Sequence, residues 1–318
     1  MTDTRGLLRS LMLPVAMLTG AGAFFLLHYV FPAREEAYTH VANVAQPIFV
    51  GVMLFLQLNV LSPRDLHFCR WHFRLLAVQA FFFALFSIAA VMTPPGGMRL
   101  LMECAILCFI CPTAAAAGVV TLRIGGSLPD IMTYTVLSDA LASLLIPIMV
   151  PLVHPAAGIG FLAAFWIVVR KVFAILVLPC LLAWTIRWLW PALQRRLAKI
   201  SGTAFYVWGL CLAMAIFLAM GALFYSGCSA VIVVLIGVVS LASCLFQFVL
   251  GRRFAGGGDG VVRITSGQAL GQKNTGFIIW LGLTYMTPVT SVVGGLYAIW
   301  QNLVNSYELY KSAEKGRL

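Results

Sequence analysis

Charge is what this chain has least of. Asp, Glu, Lys and Arg make up 10% of its 318 residues, where a water-soluble domain carries roughly 25%. Hydrophobic residues reach 62% and the mean hydropathy is +0.98, so no sizeable soluble domain fits beside the apolar runs and one membrane domain, 1–318, is expected. Low-complexity segments are absent. So are Gly-x-Ser-x-Gly, His-Glu-x-x-His, an intramembrane Asp pair, a nucleotide loop and a pore-filter motif, which argues against an enzyme, a sensor or a channel subunit. Neither a cofactor nor a resident metal is expected: the five histidines have no metal spacing, and the eight cysteines are read as no redox or zinc pair. Cys104, Cys108 and Cys111 share one helical face, a pattern that suits buried small hydrophobes or a soft metalloid.

What is there is a series of apolar runs. Ten spans are expected, at about 8–31, 41–60, 73–93, 98–122, 130–151, 162–190, 203–226, 229–250, 264–284 and 287–307. The first is too long for a signal-peptide core and is read as a helix that stays. Arg170 and Lys171 interrupt the sixth, so 156–168 is expected as an outer segment, with the true span beginning near Arg170 and ending at Trp190. Trp71, Trp188 and Trp190 fall at span ends, where an aromatic belt would place them, and Gln57 and Asn59 are expected at the interface. The net charge of +11 sits in short loops as topology determinants do, which argues against a nucleic-acid partner. Sixteen of the 21 Lys and Arg fall on the side of both termini, against Arg34, Arg99, Arg170 and Lys171 opposite. An integral protein of the cell (inner) membrane with both termini cytoplasmic is therefore expected. The remaining cation, Lys273, belongs to neither side.

Lys273 lies in the stretch Ile264–Trp280, which is membrane-length but polar at its middle, with Thr265, Ser266, Gln268, Gln272, Lys273, Asn274 and Thr275. Such a segment is expensive in hydrocarbon unless the helix breaks and lines a site. The fourth span has a matching interruption at Cys111-Pro112-Thr113 through Gly118. Each broken span is followed by one with adjacent polar residues, Ser138-Asp139 and Gln301-Asn302. Two five-span halves, about 8–151 and 162–307, would have opposite topology, and paired broken helices in such halves point to a substrate site near the midplane.

In these features the chain resembles the bile acid:sodium symporter family. The likeness rests on Gly51 to Asp65, Ala77-Val78-Gln79-Ala80-Phe81, the Cys111-Pro112 break and, most specifically, Leu270-Gly271-Gln272-Lys273-Asn274-Thr275-Gly276. The resemblance implies an all-α fold of ten transmembrane helices in two inverted repeats. It implies that the fourth and ninth helices cross at their breaks. It implies that spans three to five and eight to ten form a core that moves against a panel of spans one, two, six and seven, with an organic anion bound between them. The expected site residues are Lys273, Asp139, Asn274, Gln272, Thr275, Gln79, Ser138, Thr113, Gln268 and Asn302, of which Gln79, Asn274 and Thr275 remain from the family's polar set, with Pro112, Gly118, Gly271 and Gly276 shaping the breaks.

The departures from the family pattern concern the cation. Sodium-using members carry Glu and Gln where this chain has Ala269 and Lys273, and a polar Ser-Asn pair where it has Ala117 and Gly118. Sodium wants several oxygen ligands, preferably with a carboxylate, so an ammonium in that place disfavours it. Asp139 is the expected ion-pair partner of Lys273. The expectation is a secondary transporter of a small bile-acid-like or carboxylate organic anion, working by alternating access without sodium, with protons as the candidate coupling ion. The alternatives are an arsenite-type efflux carrier that uses Cys111, a fixed structural pair of Lys273 with Asp139, a direct contact of Lys273 with the substrate anion and, from another class, a non-transport membrane sensor or enzyme. Glu103 with Arg99 is expected as a solvated or interfacial pair.

Overall fold

The computed structural model describes residues 4–114, 116–155, 158–254 and 259–314. Ala115 of the first break, part of the 251–259 connection, and Lys315 and Arg317 lie outside these. The described chain is 87% helical with no strand. Its helices are α1 (Thr4–Val30), α2 (Glu35–Leu58), α3 (Arg70–Met92), α4 (Gly97–Ile110), α5 (Ala117–Arg123), α6 (Leu128–Val153), α7 (Phe161–Val172), α8 (Leu178–Leu189), α9 (Pro191–Ile200), α10 (Ala204–Phe224), α11 (Ala230–Phe254), α12 (Gly260–Gly271), α13 (Thr275–Tyr285) and α14 (Val292–Glu314). Among the described residues, six stretches are long and apolar enough to cross a membrane: Pro32–Leu58, Arg70–Met92, Leu128–Val153, Phe161–Leu189, Tyr206–Phe224 and Ala230–Phe254. Pro14–Val30 and Thr275–Tyr285 are shorter apolar helices.

Local sequence explains where the helices stop. Pro112 pushes Cys111 out of helical backbone (ψ 131°) and ends α4. Gln272 is extended (ψ 121°) and ends α12, and two residues later Asn274 caps α13 by accepting from Phe277 N at 3.2 Å. Ser127 and Asp259 cap α6 and α12 in the same way, accepting from Asp130 N at 3.4 Å and Val261 N at 2.9 Å.

Three expectations are corrected. Residues 161–189 form one helical run through Arg170 and Lys171, with a π-helical stretch at Phe173–Val177, so no separate outer segment ends near Arg170. Both cations lie on the exposed face, where long stems reach outward; Lys171 Nζ stands 5.7 Å from the Tyr285 ring centre. Trp71 and Asn59 are buried, at 5% and 0% exposure. Asn59 is held because its carbonyl accepts from Gln194 Nε2 at 2.9 Å and Arg187 Nη2 at 3.2 Å. Finally, the basic stretch read as a loop folds as α9, with Pro191 at its first position.

Candidate functional site

The two interrupted helices meet at their breaks. Thr113 and Lys273 face each other as a single antiparallel bridge. Ala114 N donates to Gln272 O at 3.1 Å and Asn274 N to Pro112 O at 3.0 Å. Broken helices leave backbone groups orphaned, and burial makes each orphan cost free energy; here the breaks satisfy one another. Pro112 supplies the stop and an acceptor, and Gly271 allows the close approach of α11, since a Cβ there would strike the Phe248 ring. Gly276 lies against Cys211 and Val50, and Gly118 against Leu128 and Met132.

Side chains from flanking helices complete the junction twice over, in the same pattern. Thr113 N donates to Ser138 Oγ of α6 at 3.1 Å, and Lys273 N donates to Gln301 Oε1 of α14 at 2.8 Å. Four residues before each acceptor stands a fully buried tyrosine. Tyr134 OH donates to Gln79 Oε1 of α3 at 3.2 Å, and Tyr297 OH accepts from Gln247 Nε2 of α11 at 3.2 Å. Gln79 Nε2 in turn donates to the Ile110 and Cys111 carbonyls, and Gln247 Nε2 to the Cys108 carbonyl.

The sequence-predicted residues sort as follows. Lys273, Asn274, Gln272, Thr275, Gln79, Ser138, Thr113 and Gln268 are all buried at the junction or one turn from it. Thr113 Oγ1 donates to Ala269 O at 2.6 Å. Gln272 bonds Gln268, Gln268 Nε2 bonds Glu308 Oε2 at 2.6 Å, and Glu308 pairs with the partly exposed Arg252. A polar chain thus runs from the junction toward the surface. Asn302 is not part of the junction: its amide donates back to Ala298 O at 2.7 Å, and its neighbour Gln301 takes the place expected of it. On a helix adjacent residues point about 100° apart, so only one of the two can face the break.

The expected ion pair is not formed. Lys273 Nζ is fully buried with no hydrogen-bond partner among the described residues, and no carboxylate oxygen of theirs lies within 4.0 Å of it. Both Asp139 oxygens are likewise buried and unpartnered. Cys111 is within electrostatic reach of both Lys273 and Asp139, and Asp139 also reaches Cys180 of α8. Cys108 and Cys111 do form a Cys-x-x-Cys spacing that the sequence reading passed over. Both are fully buried, and Cys111 Sγ donates to Asn274 O at 3.0 Å, so this thiol is occupied within the junction.

A cavity of about 970 Å³ opens where α1 ends and α2 begins. Phe24, Asn43 and Phe217 of α1, α2 and α10 line one side; Leu100 of α4, Leu283 of α13 and residues 287–289 line the other. Its volume lies at the upper end of ligand-site sizes. None of the sequence-predicted site residues lines it. Asn43 lies one turn before Gln46, whose Nε2 donates to Gly276 O at 3.0 Å, so the floor of the cavity is one helical turn above the junction.

Each wall carries a carboxylate cluster that sequence reading missed or misplaced. Glu35 takes Tyr225 OH at 2.5 Å and His28 Nδ1 at 3.1 Å, tying α1, α2 and the end of α10 together. Donating to Glu35 holds the Tyr225 phenol protonated, pushed up to about 12. Glu103 is 1% exposed, not solvated: it meets His154 Nε2 at 2.9 Å, Arg99 Nε at 3.6 Å and Thr287 N at 2.9 Å. Polar groups at span ends carry no helical period, so only the fold could show which of them converge.

No family model matches this chain, and no curated protein is similar to it in sequence.

Proposed function

We propose that this protein is a secondary transporter of a small amphipathic organic anion, a divergent relative of the bile acid:sodium symporters that works by alternating access without sodium. The observation that carries this reading is the junction of two broken helices with the unpartnered Lys273 Nζ inside it, one turn beneath a ligand-sized cavity. The duplicated contacts of Gln79, Tyr134, Ser138 and Thr113 with Gln247, Tyr297, Gln301 and Lys273 support two repeats, about 8–151 and 162–307, within ten spans. The broken helices would count as spans four and nine, and inverted repeats place substrate sites at such breaks. The cavity is lined by α1, α2 and α10 together with α4, α11 and 287–289, helices that the panel-and-core reading assigns to the two moving parts.

The residues present do not suit sodium. Ala269 offers no carboxylate, and a buried ammonium stands at Lys273, where a hard cation would need oxygens. A fixed ammonium supplies the charge that sodium supplies elsewhere in the family. Without a contact to Asp139, that charge is left for an anion entering from the cavity, with protons as the coupling ion when a partner is absent. An unpaired charge at such a place costs at least about 2.5–3.5 kcal/mol, which a purely structural residue would not repeat in folding. The occupied thiol of Cys111 removes the particular support for an arsenite carrier.

Reconstitution into liposomes tests this. Uptake of labelled organic carboxylates, bile acids among them, should exceed that of protein-free liposomes and be unchanged by a Na⁺ gradient. Uptake that rises steeply with the Na⁺ gradient would remove the sodium-free mechanism, and no uptake of any anion would remove the transporter reading.

A further inference from the structure

A second site lies away from the cavity, where the 59–69 connection enters α3. His67 and Cys69 are two residues apart, Cys69 being the N-cap of α3, and Asp130 occupies the first turn of α6. Their ligating atoms all fall within 4.8 Å of one another. Cys69 Sγ is 3.6 Å from His67 Nδ1 and 3.9 Å from Asp130 Oδ1, and His67 Nδ1 is 2.7 Å from Asp130 Oδ1.

The geometry points to a binding site for a borderline divalent transition metal such as Zn²⁺, held by His67 Nδ1, Cys69 Sγ and one Asp130 oxygen, with water in the fourth place. A tetrahedral ion with bonds of about 2.0–2.3 Å sets its ligand atoms about 3.3–3.6 Å apart. The sulfur to nitrogen distance already has that value. The hydrogen-bonded His67 to Asp130 pair opens by about 0.6 Å and the sulfur closes by about 0.3–0.4 Å, both within the reach of side-chain rotation. A thiolate and a carboxylate neutralise a divalent ion. Mixed imidazole, thiolate and carboxylate donors suit Zn²⁺ and its neighbours rather than Mg²⁺ or Ca²⁺.

The frame of the site is held independently of any ion. His67 N donates to Thr133 Oγ1 at 2.8 Å, and Cys69 N donates to His72 Nδ1 at 3.1 Å, so both ligand-bearing residues are fixed through their backbone. The His67 side chain is 69% exposed, which gives an entry path, whereas Asp130 is 13% exposed. On binding, the Cys69 S–H bond breaks and its proton leaves to solvent. The hydrogen bond from His67 Nδ1 to Asp130 Oδ1 is lost: the neutral imidazole shifts its proton from Nδ1 to Nε2 by exchange with solvent, which frees the Nδ1 lone pair, and three metal–ligand bonds form, with the Cys69 proton the one net proton released. The ion then clips the end of the 59–69 connection to α6. The histidines are scattered in sequence with no metal spacing and were expected to have no role; His67 and Asp130 are 63 residues apart, and only the packing of α3 beside α6 joins them.

Titration of the purified full-length protein with Co²⁺ tests the inference. The expected result is one ion per chain, with a thiolate-to-cobalt charge-transfer band that Zn²⁺ abolishes. Cys69→Ser removes the band, and His67→Ala and Asp130→Asn each weaken binding by about tenfold or more. Cys228→Ser and Cys180→Ser, at the other partly exposed thiols, leave it intact. A band that survives in Cys69→Ser, or no band with the wild-type protein, overturns the site. Alkylation of Cys69 in the unmodified protein gives a check that needs no variant: Zn²⁺ should protect it reversibly from a maleimide, and equal labelling with and without Zn²⁺ overturns the proposal.

Discussion

Replacing Glu103 with Ala removes one acceptor that three donors share. Thr287 N loses its partner at 2.9 Å, and an unsatisfied buried N–H costs about 1–3 kcal/mol. Removing one member of a fully buried ion pair costs about 3–5 kcal/mol. The side chains of Arg99 and His154 are 19% and 32% exposed, however, and regain water when the carboxylate goes. The backbone loss therefore dominates, and the total is about 2–4 kcal/mol. Glu103→Gln keeps an oxygen for Thr287 N and gives up only the charge, so it should lose about 1–2 kcal/mol. In thermal unfolding of detergent-purified protein the Ala variant should melt roughly 5–10 °C below wild type, with the Gln variant between them. If Ala and Gln variants melt alike and close to wild type, Glu103 does not hold the 287–291 segment to α4 and α6, and the account of this cavity wall fails.

Other substitutions separate the roles of the junction residues. Lys273→Met should leave the protein as stable or more stable, since it removes an unpartnered ammonium worth at least about 2.5 kcal/mol of burial cost, while abolishing anion uptake in liposomes; a strong loss of stability would make Lys273 structural. Gln301→Leu orphans Lys273 N and should cost about 1–3 kcal/mol, whereas Asn302→Leu should fall within about 0.5 kcal/mol of wild type, as read by paired melting curves. Gly271→Ala drives a Cβ into the Phe248 ring and should cost about 1–3 kcal/mol; adding Phe248→Leu should restore part of it, and strict additivity of the two would place the clash elsewhere.

The helical fold was legible because long apolar runs and their punctuation are local properties. Pro112 and the Gly271-Gln272-Lys273 stretch announced two breaks, and both occur within a residue or two of where the polar pattern put them. Arg170 and Lys171 misled, because a charge within an apolar run reads as an end when its side chain can equally reach outward from an unbroken helix. At the site, sequence identified the helix but not always the residue. Ser138 and Asp139 are neighbours, as are Gln301 and Asn302, and the choice between members depends on helix rotation, which a near-uniform apolar pattern does not fix. Tyr134 and Tyr297 carried a usable signal, each four residues before a junction acceptor and so on the same face. The proposed ion pair failed for a related reason: placing α6 beside the junction brought Asp139 near Cys111 but left its carboxylate and the Lys273 ammonium without a contact to each other. The i,i+4 pair of Arg99 with Glu103 was legible, but the contacts of Glu35 with Tyr225, of Glu103 with His154 and Thr287, and of His67 with Asp130 join segments distant in sequence, so no spacing could reveal them.

Alternating access is the central claim, and the cavity floor gives its most direct test. With Cys228→Ser removing the native thiol that lines the same cavity, Asn43→Cys can be exposed to a membrane-impermeant maleimide from one face of sealed vesicles or from the other. The account predicts labelling from both faces, in separate experiments, because the floor opens to each side in turn. Labelling from one face alone, across pH and in the presence of organic anions, would contradict it.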